Sequence, residues 1–321
     1  MKITVIGAGR WGSCIAWYLD RTGHDITIYG PKDTPDMIAF STTRTNGLIT
    51  IPESIGLSYD LSEAIADVDA VVISIGSQGL RSLIDEINAL EDSKERTFIL
   101  CMKGLEIESG MRLTEVVEQQ AKFPCKVAVW IGPGHVQEFY RGIPNCMIID
   151  SKDETLKEKL VEEFSSDLIR FYYGEDLLGN EVGAAAKNVI GIAAGILDGM
   201  GVSSLKGALM SRGTREVSRL IKAMGGNELS AYGLCHLGDY EATVFSQFSH
   251  NRMFGELYAK GEKYDKLAEG YYTAAALHNL CKKYNVEMPI CEAVYKTLYE
   301  GVDVKESLFG LFKRSLKKEL W

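Results

Sequence analysis

KITVIGAGRWGSCIAWYLDRTG, residues 2–23, decides the fold. A β-branched run ends at Gly7, GxGxxG follows with glycines 7, 9 and 12, and an amphipathic segment opens on the last of them. Gly7 permits a tight turn, Gly9 lets a pyrophosphate approach the backbone, and Gly12 lets helix and strand pack closely. The phosphates then meet free N–H groups at a helix N-terminus, where the macrodipole favours negative charge. Gly7, Gly9, Arg10, Trp11 and Gly12 are therefore the expected cofactor contacts, and the cofactor is NAD or NADP. The second strand ends YGPKD, with no carboxylate at its tip for a ribose 2′-hydroxyl. Lys32 and Arg44 stand where a 2′-phosphate could be met, so the choice between the two cofactors stays open.

Outward from this stretch, short apolar runs alternate with helical patterns. KITVIG (2–7), DITIYG (25–30), AVVISIG (70–76), RTFILCM (96–102), KVAVWIG (126–132), NCMIID (145–150) and RFYYG (170–174) read as strands. Apolar on both faces, they predict a mostly parallel sheet covered by helices on each side. After about residue 178 the strand signal stops, and 3.6-residue periodicity runs to the end. The expected fold is α/β plus all-α: a Rossmann-type domain over 1–178 and a helical substrate domain over 179–321. A length of 321 residues suits two such domains.

Composition excludes several classes. A formal charge of −9 argues against a nucleic-acid partner, while a few local cations suffice for a small phosphorylated ligand. No uninterrupted apolar run reaches the roughly 18 residues of a membrane span, and the start lacks the pattern of a signal peptide. The expectation is a cytoplasmic protein without stable membrane insertion, whose apolar helical half suits a homodimer. The seven cysteines are scattered without a CxxC, and the five histidines show no HxxxH, so neither disulfides nor a metal site is expected. FKRSLKKELW, at 312–321, reads as a solvated helix end.

The helical half begins with GNEVGAAAKNVIGIAAGILDGMG (179–201), in which Lys187 sits among glycine, alanine and short aliphatic residues. Spacing alone leaves two readings: a lysine snorkelling from a helix face, or an ammonium held in an apolar site for proton transfer.

Along nearly its whole length the chain resembles the NAD(P)-dependent glycerol-3-phosphate dehydrogenase family. GAGRWG (7–12), MKG (102–104), GPGHVQE (132–138), the 179–199 segment, SRG (211–213), GLCHLGD (233–239), SHNRMFG (249–255), EGYYTA (269–274) and VEMPI (286–290) occur in family order. The resemblance implies hydride transfer between the nicotinamide and a phosphorylated ketone/alcohol pair, dihydroxyacetone phosphate and sn-glycerol 3-phosphate. Lys187 is then the proton donor and acceptor, Asp239 holds and orients it, and Lys103 touches both cofactor and substrate. Asn188 and Thr243 lie near the substrate hydroxyls or phosphate, with Ser249, His250 and Asn251 on the phosphate side. Gly132, Gly134 and Val136 belong to the loop over the cofactor and substrate, His250 also borders the cofactor, and Glu269 lies near the nicotinamide end. Arg212 is read as structural.

Two positions depart from the family pattern. Its SRN is Ser249-His250-Asn251 here, which replaces a planar, permanently charged fork by a shorter and largely neutral ring. The Ser/Thr of its GPS/GPT loop is Gly134, with His135 following. The RTNGLITIP loop (44–52) is also altered. A paralogue acting on a different phosphorylated ketose or polyol is thus an alternative. A non-catalytic dinucleotide sensor is a third reading, disfavoured because Lys187 and Asp239 are both retained.

Overall fold

The first half of the chain builds one sheet. The strands are β1 (Lys2–Ile6), β2 (Asp25–Tyr29), β3 (Gly56–Ser58), β4 (Ala70–Ile73), β5 (Arg96–Leu100), β6 (Cys125–Ile131), β7 (Asn145–Ser151) and β8 (Ile169–Tyr173). The computed structural model describes residues 1–90, 94–316 and 318–319. Spatial order is β3-β2-β1-β4-β5-β6-β7-β8, and every neighbouring pair is parallel except β6 with β7. The connection between those two strands spends its length on a loop and a five-residue helix, Val136–Tyr140, which provides no full crossover. β3 escaped sequence reading because GLS is three residues long and carries no apolar alternation.

From β1 the chain moves outward to β2 and β3, then returns to the other side of β1 as β4. The C-terminal ends of β1 and β4 therefore flank a topological switch point, where open α/β sheets bind ligands. Ser74 N donates to Ile6 O at 2.9 Å there, directly beside the glycine loop.

The second half wraps around one helix, Leu177–Gly199, whose residues Gly179–Leu197 are all buried. This helix has the length and hydropathy of a membrane span, yet 89% of its most apolar window is covered by the rest of the protein. Counting uninterrupted apolar residues did not find it, because Asn180, Glu181, Lys187 and Asn188 break the run. Helix His250–Ala259 crosses it at backbone contact: a Cβ on Gly195 would lie 1.9 Å from Arg252 O, and one on Gly255 would lie 2.1 Å from Ile192 O. That close approach carries the SHN segment up to Lys187-Asn188.

The two halves are joined by a buried ion pair. Arg112 Nη1 donates to Glu181 Oε2 at 2.7 Å, and Thr114 donates to the same carboxylate through its backbone N–H at 3.0 Å and its hydroxyl at 2.7 Å. Burial pushes the Glu181 carboxyl up against the downward pull of Arg112. At the C-terminus the last helix stops at Phe312. Beyond it Arg314 pairs with Glu287 at 2.9 Å, while Arg212 donates to Glu319 O at 2.9 Å. Of the FKRSLKKELW stretch, Lys317, Leu320 and Trp321 lie outside the described residues.

Candidate active site

The glycine loop is shaped as a cradle. Gly7 has φ +109°, and a Cβ on it would lie 2.2 Å from Ser74 O; one on Gly12 would lie 1.9 Å from Gly7 O. Those two glycines are required by the protein's own packing. Gly9 is different, since a Cβ there would meet nothing within 4 Å. Its bare backbone caps helix Arg10–Arg21 without any side-chain acceptor, leaving first-turn N–H groups for an anion. The residues present fit a dinucleotide pyrophosphate. Trp11 packs on Phe139, 6.1 Å between ring centroids, and so ties this loop to the GPGHVQE loop. Arg44 donates to Ile55 O at 2.7 Å and also to Pro52 O, so its guanidinium is committed to its own loop. Lys32 lies over the Tyr59 ring, 5.9 Å away.

At the cleft between the halves, two ammonium groups share one carboxylate oxygen. Lys187 Nζ is 3.0 Å from Asp239 Oδ2, and Lys103 Nζ is 2.7 Å from the same atom. Asp239 is 1% exposed, and its second oxygen, Oδ1, is buried without a hydrogen-bond partner among the described residues. Lys187 also donates to Thr243 Oγ1 at 2.7 Å, and Lys103 to Gly132 O at 2.5 Å. Burial lowers the Lys187 ammonium to about 8, against the upward pull of Asp239 and with a further downward push from Lys103. The cluster is a buried, net cationic site with one unused acceptor.

The surrounding residues form a chain of amides. Asn188 Nδ2 donates to Lys103 O at 2.8 Å, Asn251 Nδ2 donates to Asn188 Oδ1 at 3.0 Å, and Gly270 N donates to Asn251 Oδ1 at 2.8 Å. Glu269 accepts from Ser77 N at 2.9 Å and Ser77 Oγ at 2.5 Å, which closes the helical half onto the loop after β4. Burial pushes the Glu269 carboxyl up. Ser249 caps helix His250–Ala259 by accepting from Arg252 N at 3.3 Å. Arg252 is taken up by Asp198 at 2.5 Å and Glu256 at 3.0 Å. Val136 is buried at the start of its short helix.

Sequence reading missed a support behind Asp239. His236 Nδ1 donates to Gly183 O at 2.9 Å, and Tyr240 Oη donates to His236 Nε2 at 2.7 Å. Burial brings the His236 ring down to about 4, so it is neutral and locks the HLGD turn against the central helix. The signal was partly present: His236 lies three residues before Asp239 in the quoted segment, and Tyr240 directly follows its end. Ser77, and Tyr264, which pairs with His250 Nδ1, had no local signal.

Gly134 has a packing reason in this chain. A Cβ on it would lie 2.2 Å from the Phe139 ring, so the hydroxyl-bearing residue of the family pattern has no room. Gly134→Ser should destabilise the protein by about 1–3 kcal/mol through overpacking. Gly134 also has φ +155°, where any side chain is strained, so adding Phe139→Ala should recover only part of that loss. Thermal melts of the single and double variants would check this, and an unchanged melt for Gly134→Ser would refute it.

Elsewhere a cavity of about 870 Å³ lies in the helical half, between Leu209, Arg212, Glu216, Ile290 and Leu308. Glu216 there is raised to about 7 by burial. Its oxygens accept from Ile290 N at 2.8 Å and Cys291 N at 3.3 Å, so it caps a helix and offers no free acid or base.

Family models described as NAD-dependent glycerol-3-phosphate dehydrogenase N-terminus and C-terminus match residues 2–157 and 176–309. A glycerol-3-phosphate dehydrogenase (NAD(P)+) of Thermoanaerobacter sp. strain X514 is 34% identical over 331 residues, covering 100% of this chain and 99% of the relative. One from Chlorobium limicola is 33% identical over 335 residues, with 100% of each chain covered. The crystal structure of glycerol-3-phosphate dehydrogenase from Coxiella burnetii aligns with a TM-score of 0.89 at 28% identity, covering 98% of this chain and 99% of that one.

Proposed function

The chain belongs to the NAD-dependent glycerol-3-phosphate dehydrogenase family, an NAD(P)-dependent oxidoreductase acting on CH–OH, and from that premise we propose that it interconverts dihydroxyacetone phosphate and sn-glycerol 3-phosphate with Lys187 as the proton donor and acceptor. The observation that carries this reading is the buried Lys187 ammonium held between Asp239 Oδ2 at 3.0 Å and Thr243 Oγ1 at 2.7 Å. Gly7, Gly9 and Gly12 would hold NAD(P) at the glycine loop, and when bound it would supply or accept the hydride. This chain's residues handle the proton and the charge. Lys187 polarises the ketone oxygen and protonates it as charge develops there. Asp239 keeps the ammonium aimed, and Lys103 adds a second cation that offsets charge on the substrate. Asn188 and Asn251 orient hydroxyl or phosphate oxygens through the amide chain.

Alcohol oxidation needs neutral Lys187. At an ordinary lysine value the neutral form costs about 5 kcal/mol at pH 7, whereas at about 8 it costs only about 1 kcal/mol. Below about 8 the oxidation rate should therefore climb nearly tenfold per pH unit and then level off. Ketone reduction needs the ammonium and should fall above the same point. Pre-steady-state rates in both directions from pH 6.5 to 9.5 would check it. An oxidation rate flat across that range would remove Lys187 from the role.

A second reading, a different phosphorylated ketose or polyol, rests on His250 standing in place of the family's arginine. Purified protein assayed with NADH and NADPH against a panel of phosphorylated ketoses separates the two. The first reading expects dihydroxyacetone phosphate to give the highest kcat/KM, and preference for a different phosphorylated ketose would replace it.

A further inference from the structure

Arg10 opens the helix that holds the cofactor loop, yet its side chain leaves that loop and crosses to the helical half. Its Nη1 donates to His250 Nε2, and His250 Nδ1 pairs with Tyr264 Oη. A guanidinium only donates, so Nε2 must accept and Nδ1 must carry the ring proton, donating it to Tyr264. His250 is therefore neutral. Burial, together with the Arg10 cation, brings it down to about 4. The histidine does not present a charge to any ligand; both of its nitrogens are used to aim Arg10.

Arg10 itself lacks a counter-ion. Among the described residues it forms no ion pair, and its Nε is buried without a hydrogen-bond partner. Burial draws its basicity down with no carboxylate to restore it. Arg252, the other arginine of the SHNR segment, is neutralised by Asp198 and Glu256. A half-buried guanidinium with spare donors at a cleft is a fork shaped for a phosphate. Its position selects which phosphate. The pyrophosphate has the backbone N–H groups of the first helical turn. Arg10 points instead toward His250, whose neighbour Asn251 bonds Asn188, the residue beside Lys187.

We propose that Arg10, positioned by the neutral His250–Tyr264 pair, is the specificity-determining cation that captures the phosphoryl group of the substrate. The charge that position 250 lacks is supplied from the opposite side of the cleft. The assignment rests on the proposed reaction with a phosphorylated ketone.

The test compares the parent, Arg10→Ala and Arg10→Ala/His250→Arg. It measures kcat and KM for dihydroxyacetone phosphate, calorimetric binding of glycerol 3-phosphate, and NADH affinity by fluorescence. Losing a charge-assisted fork should weaken glycerol 3-phosphate binding and raise KM by about 30- to 100-fold, with kcat and NADH affinity within about threefold of the parent. The double variant should recover at least about tenfold of the loss, because the cation returns from the other side. An unchanged KM and unchanged glycerol 3-phosphate binding in Arg10→Ala would overturn the assignment while leaving the reaction intact. Parallel loss of NADH affinity would also overturn it, placing Arg10 with the cofactor. So would a double variant without recovery. A parent that neither binds glycerol 3-phosphate nor reduces the ketone would fail the reaction and the clamp together.

Discussion

Lys187→Met should lower kcat/KM for ketone reduction by about 10³- to 10⁴-fold and leave NADH affinity unchanged. Methionine matches the length of the lysine stem, so the central helix keeps its packing while the proton and the charge are lost. The cofactor loop lies on the other half, and nothing in the contacts of Lys187 reaches it. The same substitution should raise stability. The folded-state value of Lys187 is about 8, below the 10.5 of an exposed lysine. Below pH 8 both states are protonated, and burial of the cation carries its full penalty of about 3 kcal/mol. Between about 8 and 10.5 the folded chain has shed the proton that the unfolded chain still holds, so stability rises with pH there. Methionine removes the penalty, and at pH 7 the variant should melt a few degrees higher. A more stable and inactive protein is the signature of an ammonium kept for chemistry. Turnover within tenfold of the parent would exclude Lys187 as the proton donor, and a lower melting temperature would contradict the stated penalty.

Glu181→Ala should cost about 3–5 kcal/mol, because it strands Arg112 in the junction between the halves. The side chain is 7% exposed, and the one carboxylate it would keep among the described residues is Glu115, itself 41% exposed. The Thr114 N–H and hydroxyl would lose their acceptor as well. For a chain of this size the melting temperature should fall by about 10 °C. The double variant Arg112→Met/Glu181→Leu should recover most of that loss, since well-packed apolar residues commonly replace a buried pair at little cost. Thermal melts read both outcomes. A single variant within two degrees or so of the parent would show that the pair does not hold the halves together.

What the sequence determined by itself was local. Seven of the eight strands, the GxGxxG loop and the change to helical periodicity near 178 all follow from patterns that repeat within a few residues. The Lys187-Asn188 pair and Asp239 were legible because the motifs around them are specific. Tertiary structure decided everything that depends on elements meeting. Arg10 and His250 are 240 residues apart, and they touch because glycine backbones at 195 and 255 let two helices cross at contact distance. Gly134 read as a missing hydroxyl until Phe139 filled the space beside it. His250 read as a lost cation until Arg10 arrived across the cleft. Nothing in the sequence singled out Glu181; its part in the junction comes from Arg112 and Thr114 closing on it. Periodicity encodes which face of an element is apolar, and motifs encode backbone shape. Neither encodes which charged side chain from a distant segment will reach a given point, because that depends on the angle and spacing at which packed helices and a sheet edge come together.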